Sequence, residues 1–212
     1  MYFENEETLL GTGSIIHENV REAGILLKTP EGLAVKLFKS KGFILSLLRC
    51  SLSRTKAHKQ WHSAHKILHL GLKTPAPIEI KLLHPSGVYE AAFIYEYIED
   101  AIPFHDAIRE CKDYSLLDKL AHELAHLASH NSLFIDFHLG NVLVDSASNL
   151  WWIDPEIKTS RSYTKERFWS RMVRMHEKCD PGILSETQWD YFTRQLNQHL
   201  PSWLQNDSSS KD

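Results

Sequence analysis

Three oxygen-bearing side chains stand at spacings that suit chemistry. Asp136 and Asn141 bracket Asp-Phe-His-Leu-Gly-Asn, and Asp154 ends the later run Leu150-Trp-Trp-Ile-Asp154. A carboxylate can orient a hydroxyl and take its proton. An amide oxygen and a second carboxylate are hard ligands that suit Mg²⁺. A base, then an amide, then a carboxylate is the order used to move a phosphoryl group from a nucleotide to a hydroxyl. The metal there neutralises charge on the triphosphate. The plainer reading is a polar hairpin, because Asp and Asn are common turn residues. The apolar run and turn between Asn141 and Asp154 favour the chemical reading.

The surrounding pattern supplies elements to hold these groups. Val142 to Val144 is an apolar run, Asp145 to Asn149 a turn, and Leu150 to Ile153 a second run. This predicts a loop, a tight hairpin and an acid at a strand end. Upstream, residues 8 to 38 read as three strands. The first carries Gly11 and Gly13 between apolar runs, the second is Gly24 to Lys28, and the third is Leu33 to Phe38. Glycines in a first hairpin let the backbone approach a phosphate, although Gly-x-Gly alone also marks a plain bulge. Leu-Ala-Val-Lys36 resembles the Val-Ala-Ile-Lys strand whose lysine meets nucleotide phosphates. A helix follows over residues 56 to 70, with Trp61, Ala64, Ile67, Leu68 and Leu70 as its apolar stripe. Gly71 suits its C-terminal cap, and Thr74-Pro-Ala-Pro77 stops it. Residues 78 to 83 and 88 to 98 read as strands. The second ends in Tyr95-Glu96-Tyr97-Ile98, which would join two lobes and offer backbone groups to an adenine edge. Helices are predicted at 104 to 111, 115 to 131, 162 to 178 and 186 to 200.

Other features compete for attention. His122-Glu-Leu-Ala-His126 matches the His-Glu-x-x-His zinc helix, and His130 extends the row. With 13 histidines in the chain, chance matches are common, and no third ligand follows at the spacing zinc hydrolases use. Residues 39 to 59 are basic and partly apolar. They read either as a helix packing its apolar side inward or as a face that rests on an anionic membrane. The segment 162 to 178, with Lys165, Arg167, Arg171, Arg174 and Lys178, reads as a helix with a solvated basic side; a face toward substrate or membrane is the sharper alternative. The bulk numbers are those of an ordinary globular chain: 212 residues, 42% hydrophobic, 24% charged and net charge −3. A net negative chain is not a nucleic-acid binder by bulk electrostatics. Cys50, Cys111 and Cys179 are far apart and suit a reducing cytosol. The acidic N-terminus shows no signal-peptide pattern, and no apolar run reaches the ~20 residues needed to span a bilayer.

Together these segments resemble the bacterial lipopolysaccharide core kinases of the Kdo/WaaP type, small relatives of protein kinases. The resemblance covers roughly residues 8 to 178 and is most specific in Leu-Gly-Leu-Lys-Thr-Pro-Ala-Pro77 and His-Leu-Gly-Asn141. It implies an α+β, two-lobed, protein-kinase-like fold. An antiparallel sheet with one main helix would form the N-lobe at 1–97. A helical C-lobe would occupy 98–205, and a disordered tail 206–212. It implies ATP and Mg²⁺ as cofactors, and transfer of phosphate to a sugar hydroxyl of the lipopolysaccharide core or a similar glycolipid. The work would be done in the cytoplasm, at the inner face of the inner membrane. Asp136 would be the base, and Asn141 and Asp154 the metal ligands. Lys36 would hold phosphates, with Gly11 and Gly13 in the loop before it, and Glu96 and Tyr97 would lie in the hinge. Three positions depart from the family pattern. Gln60 stands where a glutamate pairs the lysine, Phe134-Ile135 replaces the usual His-Arg or His-Gly, and Asp154-Pro-Glu lacks the usual glycine. A catalytically weak pseudokinase that binds nucleotide or a protein partner is therefore the rival.

Overall fold

Strands of β-branched, aliphatic and aromatic residues recur through the first half of the chain, with two helices between the third and fourth, and the computed structural model folds them into one sheet. It describes residues 3–19, 24–110, 114–159 and 164–206. The chain divides into two compact units, Met1–Glu99 and Asp100–Asp212.

In the first unit, β1 (Ser14–Asn19), β2 (Gly24–Lys28), β3 (Leu33–Lys39), β4 (Pro77–Leu82) and β5 (Tyr89–Glu96) form an antiparallel sheet in the order β1-β2-β3-β5-β4. Side chains alternate across a strand. Val35 and Leu37 therefore join Leu27, Leu83 and Ile94 on one face, while Phe38 joins Ala91 and Phe93 on the other. The helix α3 (Lys56–His69) lays Ala57, Trp61 and Ala64 on that second face. Thr55 caps its start, its hydroxyl accepting from the His58 N–H. At its end Gly71 takes φ 76°, and the Leu72 N–H reaches back to the Ile67 carbonyl at 3.1 Å. A left-handed residue closes a helix this way, and glycine does so without a Cβ penalty.

The first expected strand begins later, at Ser14, and its expected start is helical. Residues Glu6–Leu10 form α1, capped by Asn5, whose side chain accepts from the Glu7 N–H at 2.9 Å. Glu6 and Glu7 in its first turn favour the helix dipole, and Leu9 is buried in the sheet core. Apolar Leu9 and Leu10 beside Gly11 imitate a strand end; the Asn5 cap, four residues before Leu9, decides otherwise. A further helix, α2 (Phe43–Ser51), runs between β3 and α3.

The second unit is mostly helical. It contains β6 (Ile102–Pro103), α4 (Phe104–Glu110), α5 (Ser115–Ser129), β7 (Ser132–Phe134), β8 (Val142–Val144), β9 (Leu150–Trp152), β10 (Ile157–Thr159), α6 (Lys165–Arg174) and α7 (Glu186–His199). The small sheets β6-β8-β9 and β10-β7 are antiparallel. α5 buries Leu117, Leu120, Leu124 and Leu127, and α7 packs on it with Phe192 and Leu196 buried. A full capping box starts α7, with the Ser185 and Gln188 side chains each accepting from the other's backbone N–H. The predicted ends at Cys111 and residues 162–163, and the tail from 207, lie outside the described residues. Among the described residues no helix is long and apolar enough to cross a membrane.

Candidate active site

Asp136, Asn141 and Asp154 all lie in the second unit, on two segments that hydrogen bonds stitch together. The Asn141 side chain donates to the Asp136 carbonyl at 3.4 Å. The Ile153 N–H donates to the Asn141 carbonyl at 2.9 Å, which extends the β8–β9 hairpin by one step. The Ile135 N–H donates to the Glu156 carbonyl at 2.8 Å, extending the β7–β10 pair in the same way. Asp136 follows one tie, and Asp154 lies between the two. These ties hold the three residues at the ends of two short sheets, with Asp136 exposed and Asn141 and Asp154 half-buried. Asp154 has φ 51°, in the left-handed region. Aspartate enters that region more readily than most residues, at a cost of about 1 kcal/mol or more that the neighbouring ladders must offset.

The turn of this hairpin is built by Asp145. Its carboxylate accepts from the Ala147 and Asn149 N–H groups, the Asn149 side chain and the Trp151 indole, at 2.8–3.1 Å. Partial burial alone would raise its pKa, but these donors bring the carboxyl down to about 2.

Three further groups hold the Asp136 loop, and none carries a local sequence signal. Asp180, buried, accepts from the Leu139 N–H at 2.6 Å. Burial pushes its carboxyl up, against the pull of the Leu139 N–H, His138 and His105. A wide turn over Met175–Cys179, in which the Asp180 N–H returns to the Met175 carbonyl, places it there. Arg171 of α6 donates to the Phe134 carbonyl and, at 3.2 Å, to the Ile135 carbonyl. Its guanidinium therefore serves the loop, rather than the solvated basic side expected of this helix. Phe134 stands where a histidine was expected and is buried. It stacks on Trp152 at 4.5 Å, and Phe137 closes the cluster at 6.0 Å from Trp152. Apolar stacking thus fixes the residues on either side of Ile135 and Asp136. The Trp152 indole donates to Glu123 at 2.6 Å, so the glutamate of the His-Glu-x-x-His segment serves the fold. The His122 ring meets His199 edge-on at 5.2 Å, and His126 lies against His130.

In the first unit, Lys36 sits on the α3 side of β3. Its ammonium lies 5.6 Å from the Phe38 ring centroid, and Phe93 is its register partner on β5. Trp61 of α3 meets Phe93 edge-on at 6.4 Å. Gln60 precedes that tryptophan, in the helical row of Ala57, Ala64 and Ile67 that faces the sheet. Its Oε1 is buried with no hydrogen-bond partner among the described residues. Gly11 and Gly13 precede β1 rather than standing in a strand or in the β1–β2 turn. A Cβ on Gly13 would lie 2.3 Å from the Lys28 carbonyl oxygen, so glycine is needed there for close packing against β2. Glu96 and Tyr97 fall at the end of β5 and just beyond. Their N–H groups donate to the Ala76 and Gly32 carbonyls at 3.0 and 2.9 Å. These two donors are engaged within the unit.

No protein-family model matches the sequence, and no curated protein matches it. Solved structures do match in fold. A crystal structure of monomeric WbdD superposes with TM-score 0.52 at 18% identity, over 84% of this chain and 44% of that one. A second structure, of the bifunctional kinase-methyltransferase WbdD, gives TM-score 0.48 at 16% identity, over 89% of this chain and 45% of that one. The chain spans less than half the length of these proteins. The likeness is one of fold. It supports a mixed α/β fold shared with part of WbdD and does not single out the Kdo/WaaP family.

Proposed function

We propose that the chain is an ATP-dependent phosphotransferase acting on an alcohol, with an N-lobe over residues 1–97 and a C-lobe over 98–205. The observation that carries this reading is the stitched set of Asp136, Asn141 and Asp154. Asp136 is exposed at a fixed loop, as a group must be that orients an incoming hydroxyl and takes its proton. Asn141, just before β8, and Asp154, two residues past β9, supply an amide and a carboxylate oxygen. Such hard donors, few in number, fit Mg²⁺, which keeps most of its sites for water and phosphate. Bound there, the metal would supply charge neutralisation at the triphosphate. Lys36 meets the phosphates as a point cation. Gln60 offers a buried amide oxygen on α3, unpartnered among the described residues, in place of the usual carboxylate, and the Glu96–Tyr97 segment lies against the adenine. The acceptor in this reading is a sugar hydroxyl of the lipopolysaccharide core or a related glycolipid, met at the cytoplasmic face of the inner membrane.

Gln60 favours a second reading, a pseudokinase that binds nucleotide or a protein partner without turnover. An amide gives Lys36 no ion pair, so the lysine is held less firmly. Two measurements test these readings. ATP with Mg²⁺ is expected to raise the melting temperature through binding to the native state. No shift at saturating nucleotide contradicts the phosphotransferase and a nucleotide-binding pseudokinase. Mass spectrometry of the lipopolysaccharide core, with and without the protein, is expected to show a phosphate difference; binding without any transfer favours the pseudokinase.

A further inference from the structure

The helix α2 is amphipathic in the reverse of the usual sense. Its polar side faces the protein. Ser46, fully buried, donates to the Glu90 carboxylate at 2.8 Å, and Arg49 reaches the same carboxylate at 3.1 Å. Cys50 is buried beside it, its thiol toward the Glu90 carbonyl at 3.6 Å. The apolar side faces outward: Phe43 is 53% exposed, Ile44 74%, Leu48 54% and Leu52, just past the helix, 59%. Ile44, Leu48 and Leu52 form one row at a spacing of four. The reading in which the apolar side packs inward is therefore corrected. The inward contacts are an ion pair and hydrogen bonds, and they leave the leucines uncovered.

Cations rim this apolar face. Lys39 and Lys41 are exposed just before α2, and Arg54 is exposed just after it. No aspartate or glutamate occurs between Glu31 and Glu79, so no acid within the stretch itself offsets Lys39, Lys41 and Arg54. Lysines at a helix N-terminus oppose its dipole, so helix stability does not account for Lys39 and Lys41.

We propose that α2 with its flanking cations is a docking surface for an anionic phospholipid bilayer. The helix would lie in the interface plane, its leucine row among the acyl chains and its lysines among the phosphates. The alternative of a second copy is disfavoured by charge, since a two-fold contact would press Lys39, Lys41 and Arg54 against their own images. A bilayer rich in anionic lipid neutralises them instead.

Vesicle flotation tests this without nucleotide, so its failure is separate from that of the phosphotransferase reading. The full chain is expected to float with vesicles of equal parts phosphatidylcholine and phosphatidylglycerol, poorly with phosphatidylcholine alone, and less as salt is raised. Ile44→Gln/Leu48→Gln, at exposed sites, is expected to keep the melting temperature and lower partitioning by about tenfold or more. Lys39→Gln/Lys41→Gln/Arg54→Gln is expected to abolish the preference for phosphatidylglycerol. Absence of flotation with the anionic vesicles overturns the proposal, as does unchanged flotation of the Ile44/Leu48 variant. So does a dimer of the wild type that the same variant dissociates while no vesicle binding is seen.

Discussion

Asp154 takes a left-handed backbone one residue after Ile153, whose N–H is tied to the Asn141 carbonyl. In the proposed site its carboxylate holds Mg²⁺, so Asp154→Asn is expected to weaken Mg²⁺-dependent ATP binding and turnover together, read by nucleotide titration. Asp145 belongs to the fold rather than the chemistry. Its folded carboxyl titrates at about 2, below the ordinary 3.8. A depressed carboxylate stabilises the native state above its unfolded pKa, and that contribution is lost as pH falls through the folded one. Asp145→Asn is therefore expected to cost about 1 kcal/mol at neutral pH, a value kept small by solvent screening. The difference from wild type should shrink between pH 4 and 2; a difference independent of pH contradicts the hydrogen-bonded carboxylate. At this scale type and spacing single out Asp136, Asn141, Asp154 and Lys36 as candidates, and the structure ties the Asn141 side chain to the Asp136 backbone. Asp180 and Arg171 were not legible in this way. They act on backbone groups 41 and 36–37 positions away, and no local pattern encodes such a contact.

Among the elements, the strongly periodic helices were legible, and α3, α5 and α7 fall within two residues of the predicted spans. The error at α1 came from reading Leu9, Leu10 and Gly11 as a strand end when Asn5 caps a helix. The helix α2 was legible in composition but not in orientation, because its inward partner, Glu90, lies on β5 far along the chain. The wide turn after α6 positions Asp180, and Asp180 in turn fixes the loop between β7 and β8. Asp180→Ala removes the acceptor of a buried N–H, which costs about 1–3 kcal/mol. The melting temperature is expected to fall accordingly. Asp180→Asn keeps an acceptor oxygen and is expected to restore part of the loss. Equal melting of wild type and Asp180→Ala would show that the Leu139 N–H finds another partner.

The whole molecule consists of a sheet-based unit and a helical unit, an order anticipated from a strand-rich first half and a helix-rich second. The acceptor is least legible. Phosphoryl transfer rests on charge and position rather than on a substrate-specific motif, so many alcohols share one set of catalytic groups. The central claim is that Asp136 is the base of this reaction. Asp136→Asn keeps size and polarity and removes the charge at an exposed site, so folding and ATP affinity are expected to stay near wild type. The decisive measurement is phosphate transfer from ATP to extracted core oligosaccharide by the intact chain and by this variant. Loss of the base is expected to lower turnover by about a hundredfold or more, and wild-type turnover in Asp136→Asn would contradict the account.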